Sequence, residues 1–354
     1  MTDAAIDCRH LWKIFGAEEA AALAAAREGV GKDEIRERFG CVVGVADVSF
    51  TVRPGEIFCV MGLSGSGKST LVRHLNRLIE PTAGEIFIGG RDISKLDPGA
   101  LRAVRSTQIG MVFQNMGLLP HRSVLDNVAL PLELRGVPAR ERHMVANEKL
   151  ALVDLAGWND RYPDELSGGM RQRVGLARAM AANPEILLMD EPFSALDPLI
   201  RRQLQDQFIE LAKVVRKTTV FITHDLDEAI RLGDHTAIMK DGRIVQIGTP
   251  EDIVTAPADD YVADFVAGVS RLGLVTAGRI MQPLNGARDL AGAPRVAPGA
   301  TLDALLDIAS DTDSPIVVED GSGPVGWITK RVLIRGIQGK DVSAPGPAPA
   351  ARTA

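Results

Sequence analysis

Short apolar runs alternate with segments of helical periodicity along most of the chain. The runs IFCVM (57–61), ILLMD (186–190) and TVFIT (219–223) have the length of a strand and almost no polar interruption, which is typical of strands buried on both faces of a parallel sheet. A helical pattern, STLVRHLNRL (69–78), follows the first run, and other helical patterns separate the rest. Strands that alternate with helices predict an α/β domain whose sheet is largely parallel.

Four more segments complete the pattern of the long first domain. Segment 6–16, IDCRHLWKIFG, predicts an edge strand that ends in a turn, and segment 85–90, EIFIGG, predicts another strand. Segment 17–40 is rich in alanine and glutamate with two glycines near its middle, so we expect two short helices there. In segment 45–62, VADVSFTVRPGEIFCVMG, a Pro-Gly pair between two apolar runs predicts a strand, a turn and a strand.

The composition shifts after GVSR (268–271), which predicts a second domain. The stretches APGATLDALLDIAS, SPIVVED and GPVGWITKRVLIRGI indicate a small α+β unit in the order helix, strand, turn, strand, helix. We therefore expect one domain over 1–268, a small unit over 269–340, and a disordered tail rich in proline and alanine over 341–354.

Composition and charge narrow the class of protein. A chain of 354 residues suggests about two domains, and its formal net charge of −6 argues against a nucleic-acid partner, which usually requires a basic face. The widely spaced Cys8, Cys41 and Cys59 form neither a disulfide framework nor a zinc motif and fit a reducing compartment. The first residues lack the pattern of a signal peptide, and no apolar run reaches the ~18 residues that a bilayer requires. If the chain acts at a membrane, we expect another subunit to span it.

Segment 62–70, GLSGSGKST, carries the strongest chemical signal. It fits the pattern G-x-x-x-x-G-K-[ST] between a predicted strand and a predicted helix. Its backbone N–H groups would curl around phosphate oxygens, which requires unusual φ/ψ angles, and the helix that follows favours an anion at its N-terminus. Lys68 would reach the β- and γ-phosphates, and Ser69 would ligate Mg²⁺. We assign nucleotide binding to the loop residues Gly62, Leu63, Ser64, Gly65, Ser66, Gly67, Lys68, Ser69 and Thr70.

Two further strand ends carry polar side chains. Asp190 ends the apolar strand ILLMD and suits Mg²⁺ directly or through water, and Glu191 suits a base that polarises an attacking water. His224 follows the strand TVFIT, at the edge where open α/β sheets bind ligands. Taken alone, an acidic pair after a strand is more often a cap, and a lone histidine is more often a surface residue. Beside a phosphate loop, the metal and catalytic interpretation is favoured.

A second anion-binding element is predicted at 166–180, LSGGMRQRVGLARAM. Ser-Gly-Gly opens a helix there, and a helix N-terminus offers free N–H groups to an anion. The alternative is an ordinary N-cap with a flexible entry. One γ-phosphate does not need two such termini from one subunit, whereas two subunits that face each other would use both.

Together these motifs resemble the ATP-binding subunits of ABC transporters over roughly residues 6–268. LSGGMRQR is similar to the family signature and SALD (194–197) to its D-loop, and Gln114 and His224 lie where the Q-loop glutamine and the switch histidine belong. The resemblance implies a head-to-tail homodimer with two ATP molecules between the copies, in which each signature contacts the γ-phosphate bound by the other copy. It implies that Phe15 stacks on adenine, with Trp12 as a nearby competitor. The residues added to the nucleotide site are Phe15, Ser167, Gly168, Gly169 and Asp197, and Gln114 joins Ser69 and Asp190 as a metal ligand.

The resemblance is closer to the importers for glycine betaine, proline betaine and choline. Three features are similar to that group: KIFG followed by an insertion at 17–40, the segment IFCVMGLSGSGKSTLVRHLNRLIEPT, and the segment THDLDEAIRLGD. This implies an ATP-hydrolysing subunit, with Glu191, His224 and Gln114 as catalytic residues, that energises uptake of a quaternary amine. A helical subdomain over about 115–180 would receive the coupling helix of a separate membrane permease. An extracytoplasmic binding protein would be an indirect partner, and the chain would be peripheral at the cytoplasmic face of the inner membrane.

The unit over 269–340 resembles a cystathionine-β-synthase-type (CBS) module, with IMQP (280–283) at its opening. One full unit is found rather than the tandem pair from which such modules normally build their pocket. Its acidic residues form a run without an intervening lysine or arginine, which is either a solvated face or a sensor of ionic strength. These residues are Asp303, Asp307, Asp311, Asp313, Glu319 and Asp320.

Three alternatives are open at this point. A soluble ABC-type ATPase of DNA repair or translation would usually carry a long coiled-coil insertion or two ATPase cores in one chain, and the sequence has neither. An ABC importer for another small solute, such as an amino acid, is disfavoured by the 17–40 insertion and the CBS-like unit. A purely regulatory binding module is disfavoured by the intact catalytic set.

Overall fold

The structure, a computed structural model, describes residues 4–194, 196–284 and 292–340. The chain divides after Thr249 into two compact units. The tail that was predicted to be disordered, 341–354, lies outside the described residues. Among the described residues, no helix combines the length and the apolar character needed to cross a membrane.

The first unit contains two sheets and the helices that connect their strands. Its strands are β1 (Ile6–Phe15), β2 (Val42–Val52), β3 (Ile57–Met61), β4 (Ala83–Ile88), β5 (Arg91–Asp92), β6 (Ile109–Val112), β7 (Ile186–Asp190), β8 (Thr218–Thr223), β9 (His235–Lys240) and β10 (Arg243–Gly248). Its helices are α1 (Glu19–Arg27), α2 (Lys32–Phe39), α3 (Lys68–Leu75), α4 (Pro98–Thr107), α5 (Val124–Leu134), α6 (Ala139–Leu152), α7 (Gly168–Ala181), α8 (Pro198–Val215) and α9 (Leu226–Leu232).

The larger sheet has the strand order β10-β9-β3-β8-β7-β6, with every neighbouring pair parallel except β10 and β9. The apolar runs of the sequence form its centre as β3, β7 and β8, and β7 and β8 are buried along their whole length. The prediction of a largely parallel sheet is therefore confirmed. Because the strands run the same way, the segments after β3, β6, β7 and β8 leave at one carboxyl edge.

The smaller sheet is antiparallel, with the strand order β2-β1-β4-β5. The prediction that segment 6–16 forms an edge strand is wrong, because β1 pairs with β2 on one side and with β4 on the other. Strand β4 is contributed by residues more than sixty positions away along the chain, so the local pattern of β1 contains no sign of this partner.

A continuous apolar core joins the two sheets of the first unit. The rings of Phe50 on β2 and Phe58 on β3 stack with centroids 5.0 Å apart. The insertion at 17–40 forms two short helices, α1 and α2, as predicted, and they bury a separate cluster that includes Trp12 and Ile35. This cluster holds the insertion against the antiparallel sheet.

The second unit is a small α+β structure with a core of its own. Its elements are α10 (Pro250–Thr255), α11 (Asp260–Val266), α12 (Ala277–Ile280), β11 (Arg295–Val296), α13 (Leu302–Asp311), β12 (Ile316–Asp320), β13 (Gly323–Ile328) and α14 (Lys330–Ile337). The predicted order helix, strand, strand, helix is found as α13, β12, β13 and α14. The division after Thr249 lies nineteen residues before the boundary predicted at 268, so that α10 and α11 fall in the second unit. Glu251 on α10 accepts hydrogen bonds from the backbone N–H and the hydroxyl of Thr276, at 2.8 and 2.9 Å.

Candidate functional site

The glycine-rich loop connects the carboxyl end of β3 to the start of α3. Gly62, Gly65 and Gly67 all have positive φ angles, of +151°, +78° and +100°. A Cβ on Gly62 would lie 2.2 Å from the carbonyl oxygen of Met239, and one on Gly67 would lie 2.3 Å from that of Gly44. At these two positions a side chain is excluded by neighbouring backbone as well as by the backbone conformation. The loop therefore has the curled, side-chain-poor form that the sequence predicts for a phosphate cradle.

Lys68 and Ser66 provide the polar groups inside the loop. The ammonium of Lys68 donates hydrogen bonds to the carbonyl oxygens of Gly62 and Leu63, at 2.8 and 3.0 Å. Burial lowers the pKa of Lys68, while the carboxylates of Glu191 and Asp190 act in the opposite direction. Ser66 Oγ is buried and has no hydrogen-bond partner within the described part of the chain. A buried hydroxyl without a protein partner is suited to donate to a phosphate oxygen.

Asp190 and Ser69 meet next to the loop. Asp190 ends β7 with a fully buried side chain, and its Oδ1 accepts a hydrogen bond of 2.7 Å from Ser69 Oγ on the first turn of α3. Its other oxygen accepts from Arg73 Nη2 at 3.1 Å. Hydroxyl and carboxylate oxygens are ligands that Mg²⁺ accepts, and magnesium often uses only one or two carboxylates together with the phosphates of a substrate. This pair fits such an ion.

Glu191 and His224 form a second contact at the same edge. Glu191 follows β7, its φ of +46° is unusual for a residue other than glycine, and its side chain is 17% exposed. Its Oε2 lies 3.1 Å from Nδ1 of His224, which follows the neighbouring strand β8. Backbone strain of this kind is concentrated at functional sites. Glu191, the base expected from the sequence, therefore contacts His224, which the sequence predicts at the same edge of the sheet.

Phe15 and Trp12, the two aromatic candidates for adenine, have different environments. Phe15 is 39% exposed, while Trp12 is only 4% exposed. A Cβ on Gly44 would lie 2.7 Å from the ring of Phe15 and 3.6 Å from Thr70 Cγ2, so the ring lies near the end of the phosphate loop. Of the two rings, Phe15 is therefore the more accessible to a ligand, although the ammonium of Lys13 lies 5.1 Å from its ring centroid.

The signature and the D-loop residues begin two helices. Ser167 is the N-cap of α7 and accepts from the N–H of Met170 at 3.3 Å, while Asp197 caps α8 and accepts from Ile200 at 3.3 Å. Ser167, Gly168 and Asp197 are exposed. A Cβ on Gly169 would lie 2.7 Å from Ile200, so this glycine lets the starts of α7 and α8 approach each other closely. Within the described residues, no hydrogen bond or ion pair joins these residues to the phosphate loop.

Gln114 and Arg73 also lie near this edge of the sheet. Gln114 is exposed in the segment after β6, whose carboxyl end lies beside that of β7. Arg73 was missed by the sequence analysis, although it lies four residues after Ser69 and therefore on the same face of α3. That spacing was the available signal.

An α/β domain with a phosphate loop at the carboxyl edge of its parallel sheet defines the general class, a phosphate-loop nucleotide-binding protein. The family model described as ABC transporter matches residues 45–194. The chain is 48% identical to the glycine betaine/proline betaine transport system ATP-binding protein ProV of Salmonella typhimurium, over 92% of this chain and 80% of that protein. It is 46% identical to the trimethylamine N-oxide transport system ATP-binding protein TmoW of Ruegeria pomeroyi, over 92% of this chain and 95% of that protein.

A solved structure of an ATP-binding cassette, a dimer in a post-hydrolysis state bound to ADP and Pi, is similar with a TM-score of 0.59. It is 30% identical and covers 69% of this chain and 98% of its own. The chain belongs to the ABC transporter family, in which it is an ATP-binding subunit. It is an ATPase of the ABC type, as the sequence analysis proposed.

Proposed function

We propose that this chain energises uptake of a quaternary amine osmoprotectant, namely glycine betaine, proline betaine or choline, through a separate membrane permease. Two contacts at the same edge of the sheet, Ser69–Asp190 and Glu191–His224, support ATP hydrolysis by this chain. The solute class is supported by the names of the relatives, which specify betaines and trimethylamine N-oxide. All of these solutes are small molecules with a methylated nitrogen.

Ser69, Asp190 and Gln114 are the proposed ligands of Mg²⁺. When bound, this ion neutralises charge on the β- and γ-phosphates of ATP. Arg73 would hold the second oxygen of Asp190 and thereby fix the orientation of that carboxylate. Gln114 would join them from the neighbouring strand end.

Glu191 is the proposed general base, and its contact with His224 supports this role. Glu191 would accept a proton from the attacking water, and His224 would orient the carboxylate and contact the γ-phosphate. Lys68 would exchange its two loop carbonyl partners for phosphate oxygens and stabilise charge during transfer. In this proposal, Glu191 is needed for hydrolysis of ATP but not for its binding.

A head-to-tail homodimer would complete each site. Exposed Ser167 and Gly168, together with Gly169, would contact the γ-phosphate bound by the other copy, and Asp197 would lie beside them. Phe15 would stack on adenine. The dimeric state of the similar solved cassette supports this arrangement.

The helical segment after Gln114 is the proposed docking surface for the permease. Its helices α5 and α6 carry apolar side chains that face solvent, among them Leu134 at 79% and Met144 at 58% exposure, and such positions are typical of interaction surfaces. The chain would then be peripheral, at the cytoplasmic face of the inner membrane. The extracytoplasmic binding protein would be a partner only through the permease.

The second unit is proposed to be a single CBS-like module. Its order of α13, β12, β13 and α14 supports this assignment. Two members of its acidic run have basic partners, because Asp313 accepts from Lys330 at 2.6 Å and Glu319 pairs with Arg295. Both pairs are accessible to solvent, so salt would weaken them.

The test is uptake of labelled solutes by cells that lack this chain but retain its native permease. Wild type, Glu191→Gln or Glu185→Gln would be supplied, and uptake of choline, glycine betaine and trimethylamine N-oxide measured at low and high osmolarity. Glu185 is exposed at the opposite end of β7 and serves as the matched control. We expect wild type and Glu185→Gln to restore uptake of at least one quaternary amine and Glu191→Gln to restore none.

Each other outcome has a defined meaning. Restored uptake of trimethylamine N-oxide alone would replace the proposed solute class. No uptake of any of the three, with ATPase activity intact, would contradict the solute class and leave the ATPase assignment unaffected.

A further inference from the structure

A chain of buried polar side chains connects α8 to the residue before His224. We propose that Glu228 is a positioning residue for His224, and that Gln205 links it to the helix that begins at the D-loop. This inference rests on the proposed role of His224 in hydrolysis. It adds two residues that the sequence analysis did not assign.

The network has four consecutive contacts. Thr223, which directly precedes His224, donates from its hydroxyl to Glu228 Oε2 at 2.5 Å. The other oxygen of Glu228 accepts from Gln205 Nε2 at 2.8 Å, and Gln205 Oε1 accepts from Arg231 Nη1 at 3.4 Å. The hydroxyl of Thr223 also accepts from the backbone N–H of Asp225 at 2.9 Å.

The directions of these hydrogen bonds follow when Glu228 is ionised, because a carboxylate only accepts. Thr223 then directs its single hydroxyl proton at one oxygen of Glu228 and uses a lone pair to accept from the Asp225 N–H. The amide nitrogen of Gln205 donates to the other oxygen of Glu228. The side chain of Thr223 therefore links the residues on both sides of His224, and Glu228 fixes that side chain.

Because the three side chains are buried, breaking one of these hydrogen bonds costs more free energy than it would in water. Thr223, Glu228 and Gln205 are 2%, 4% and 5% exposed. Burial raises the pKa of Glu228, and the bonds from Thr223 and Gln205 counteract this shift. A buried carboxylate that loses a donor keeps its desolvation cost, and the backbone around it must move to find another partner.

Helix α8 supports the same turn at a second point. Arg201 lies four residues before Gln205, on the same face of α8, and its guanidinium pairs with Asp225 at 3.2 Å. Asp225 in turn caps α9 by accepting from the N–H of Asp227 at 3.0 Å. Because Asp197 of the D-loop caps the start of α8, a displacement of the D-loop by a second copy would be transmitted through this helix to His224.

The test exchanges the two hydrogen-bonding partners in the full-length chain. In Glu228→Gln, one amide oxygen would replace two accepting carboxylate oxygens, so either Gln205 or Thr223 would face an NH2 group in place of its acceptor. In Gln205→Glu, two carboxylates would face each other. In the double variant, the new amide at position 228 would donate to the new carboxylate at position 205 and still accept from Thr223, so every bond is restored and only the bond between positions 205 and 228 reverses its direction. We expect each single variant to lower kcat for ATP hydrolysis by about tenfold, with an unchanged KM for ATP, and the double variant to recover most of the loss.

Two controls separate this role from a general loss of folding. Gln203→Glu makes the same chemical change at an exposed position of α8 and should keep wild-type kcat. Thermal unfolding midpoints are measured for every variant. The inference is overturned if Glu228→Gln keeps wild-type kcat, if the double variant is no better than the single ones, or if kcat falls only in proportion to the folded fraction.

The proposed role of His224 is tested separately by His224→Ala. If that variant hydrolyses ATP normally, the role of His224 fails and this inference fails with it. If His224→Ala is inactive while Glu228→Gln is fully active, only the positioning role of Glu228 is lost.

Discussion

Ser69 on α3 and Asp190 at the end of β7 are joined by a hydrogen bond of 2.7 Å, although 121 positions separate them in the sequence. The bond joins the end of the phosphate loop to the carboxyl end of β7. The bond from Arg73 to the same carboxylate fixes it from the other side. Two motifs that the sequence indicates separately are therefore parts of one site, and the predictions below follow from that arrangement.

Glu191→Gln should abolish ATP turnover while ATP binding is retained. The substitution keeps the size of the side chain and removes the group that would accept the proton of water, a contribution of roughly 10²- to 10⁴-fold in rate. Steady-state phosphate release and equilibrium binding of a labelled ATP analogue measure the two effects. Normal hydrolysis by this variant would show that Glu191 is not the base, and Glu185→Gln should behave as wild type.

Lys68→Ala should weaken ATP binding by at least about tenfold, because hydrogen bonds to charged groups contribute about 1.5–3 kcal/mol each. Lys95→Ala is the control, since Lys95 is exposed and pairs with Glu85 and Asp92 outside the loop. Isothermal titration with an ATP analogue gives both dissociation constants. Equal affinity of the Lys68 variant and wild type would contradict the phosphate-loop assignment.

Phe15→Ala should weaken binding of ATP but not of tripolyphosphate, which has no base to stack. Loss of a stacked base is worth about 1–3 kcal/mol by alanine substitution. Trp12→Phe should leave ATP affinity unchanged and lower the thermal unfolding midpoint, because Trp12 is buried in the insertion cluster. The opposite result, with only the Trp12 variant impaired in ATP binding, would transfer the adenine contact to Trp12.

His74 should make the protein less stable as the pH falls. This histidine is fully buried on α3, its Nδ1 hydrogen bonds to the carbonyl oxygen of Thr70 at 2.5 Å, and burial lowers its pKa from 6.5 to about 4. Between these two values the unfolded chain binds a proton that the folded chain does not, so the free energy of unfolding decreases on acidification.

The effect is measured by comparing wild type with His74→Asn, which keeps a donor toward Thr70 without titrating. Between about pH 7.5 and about pH 5.5, wild type should lose about 1 kcal/mol more than the variant. Denaturant unfolding at both pH values gives the difference, with His121→Asn at an exposed position as the matched control. An identical pH dependence of wild type and His74→Asn would refute the assignment.

The parallel sheet, the phosphate loop and the two insertion helices could be predicted because their signals are local. An apolar run, a glycine spacing or a break between helical patterns lies within a few residues of the element that it specifies. The position of β1 inside its sheet could not be predicted in this way. Its second partner, β4, arrives only after the chain has passed through the phosphate loop and α3.

The residues at the carboxyl edge of the parallel sheet could be predicted in part. Asp190, Glu191 and His224 could be placed there because each follows an apolar run that reads as a strand. Gln205 and Glu228 could not, since each lies inside a helix with no unusual spacing. Their significance depends on how α8 packs beside α9, which is a property of the tertiary structure.

Glu191 and His224 extend from adjacent strands that are directly hydrogen-bonded, with the N–H of Glu191 bonded to Ile222 at 3.2 Å. Neighbouring strands lie about 4.8 Å apart, so strand pairing sets the distance between the backbones of these two residues. The backbone positions at which Glu191 and His224 leave the sheet are therefore fixed by strand pairing, and the coupling proposed above would act on the turn and the side chain of His224. In the proposed mechanism, the nucleotide and a second copy would meet two residues whose backbones the sheet has already placed side by side.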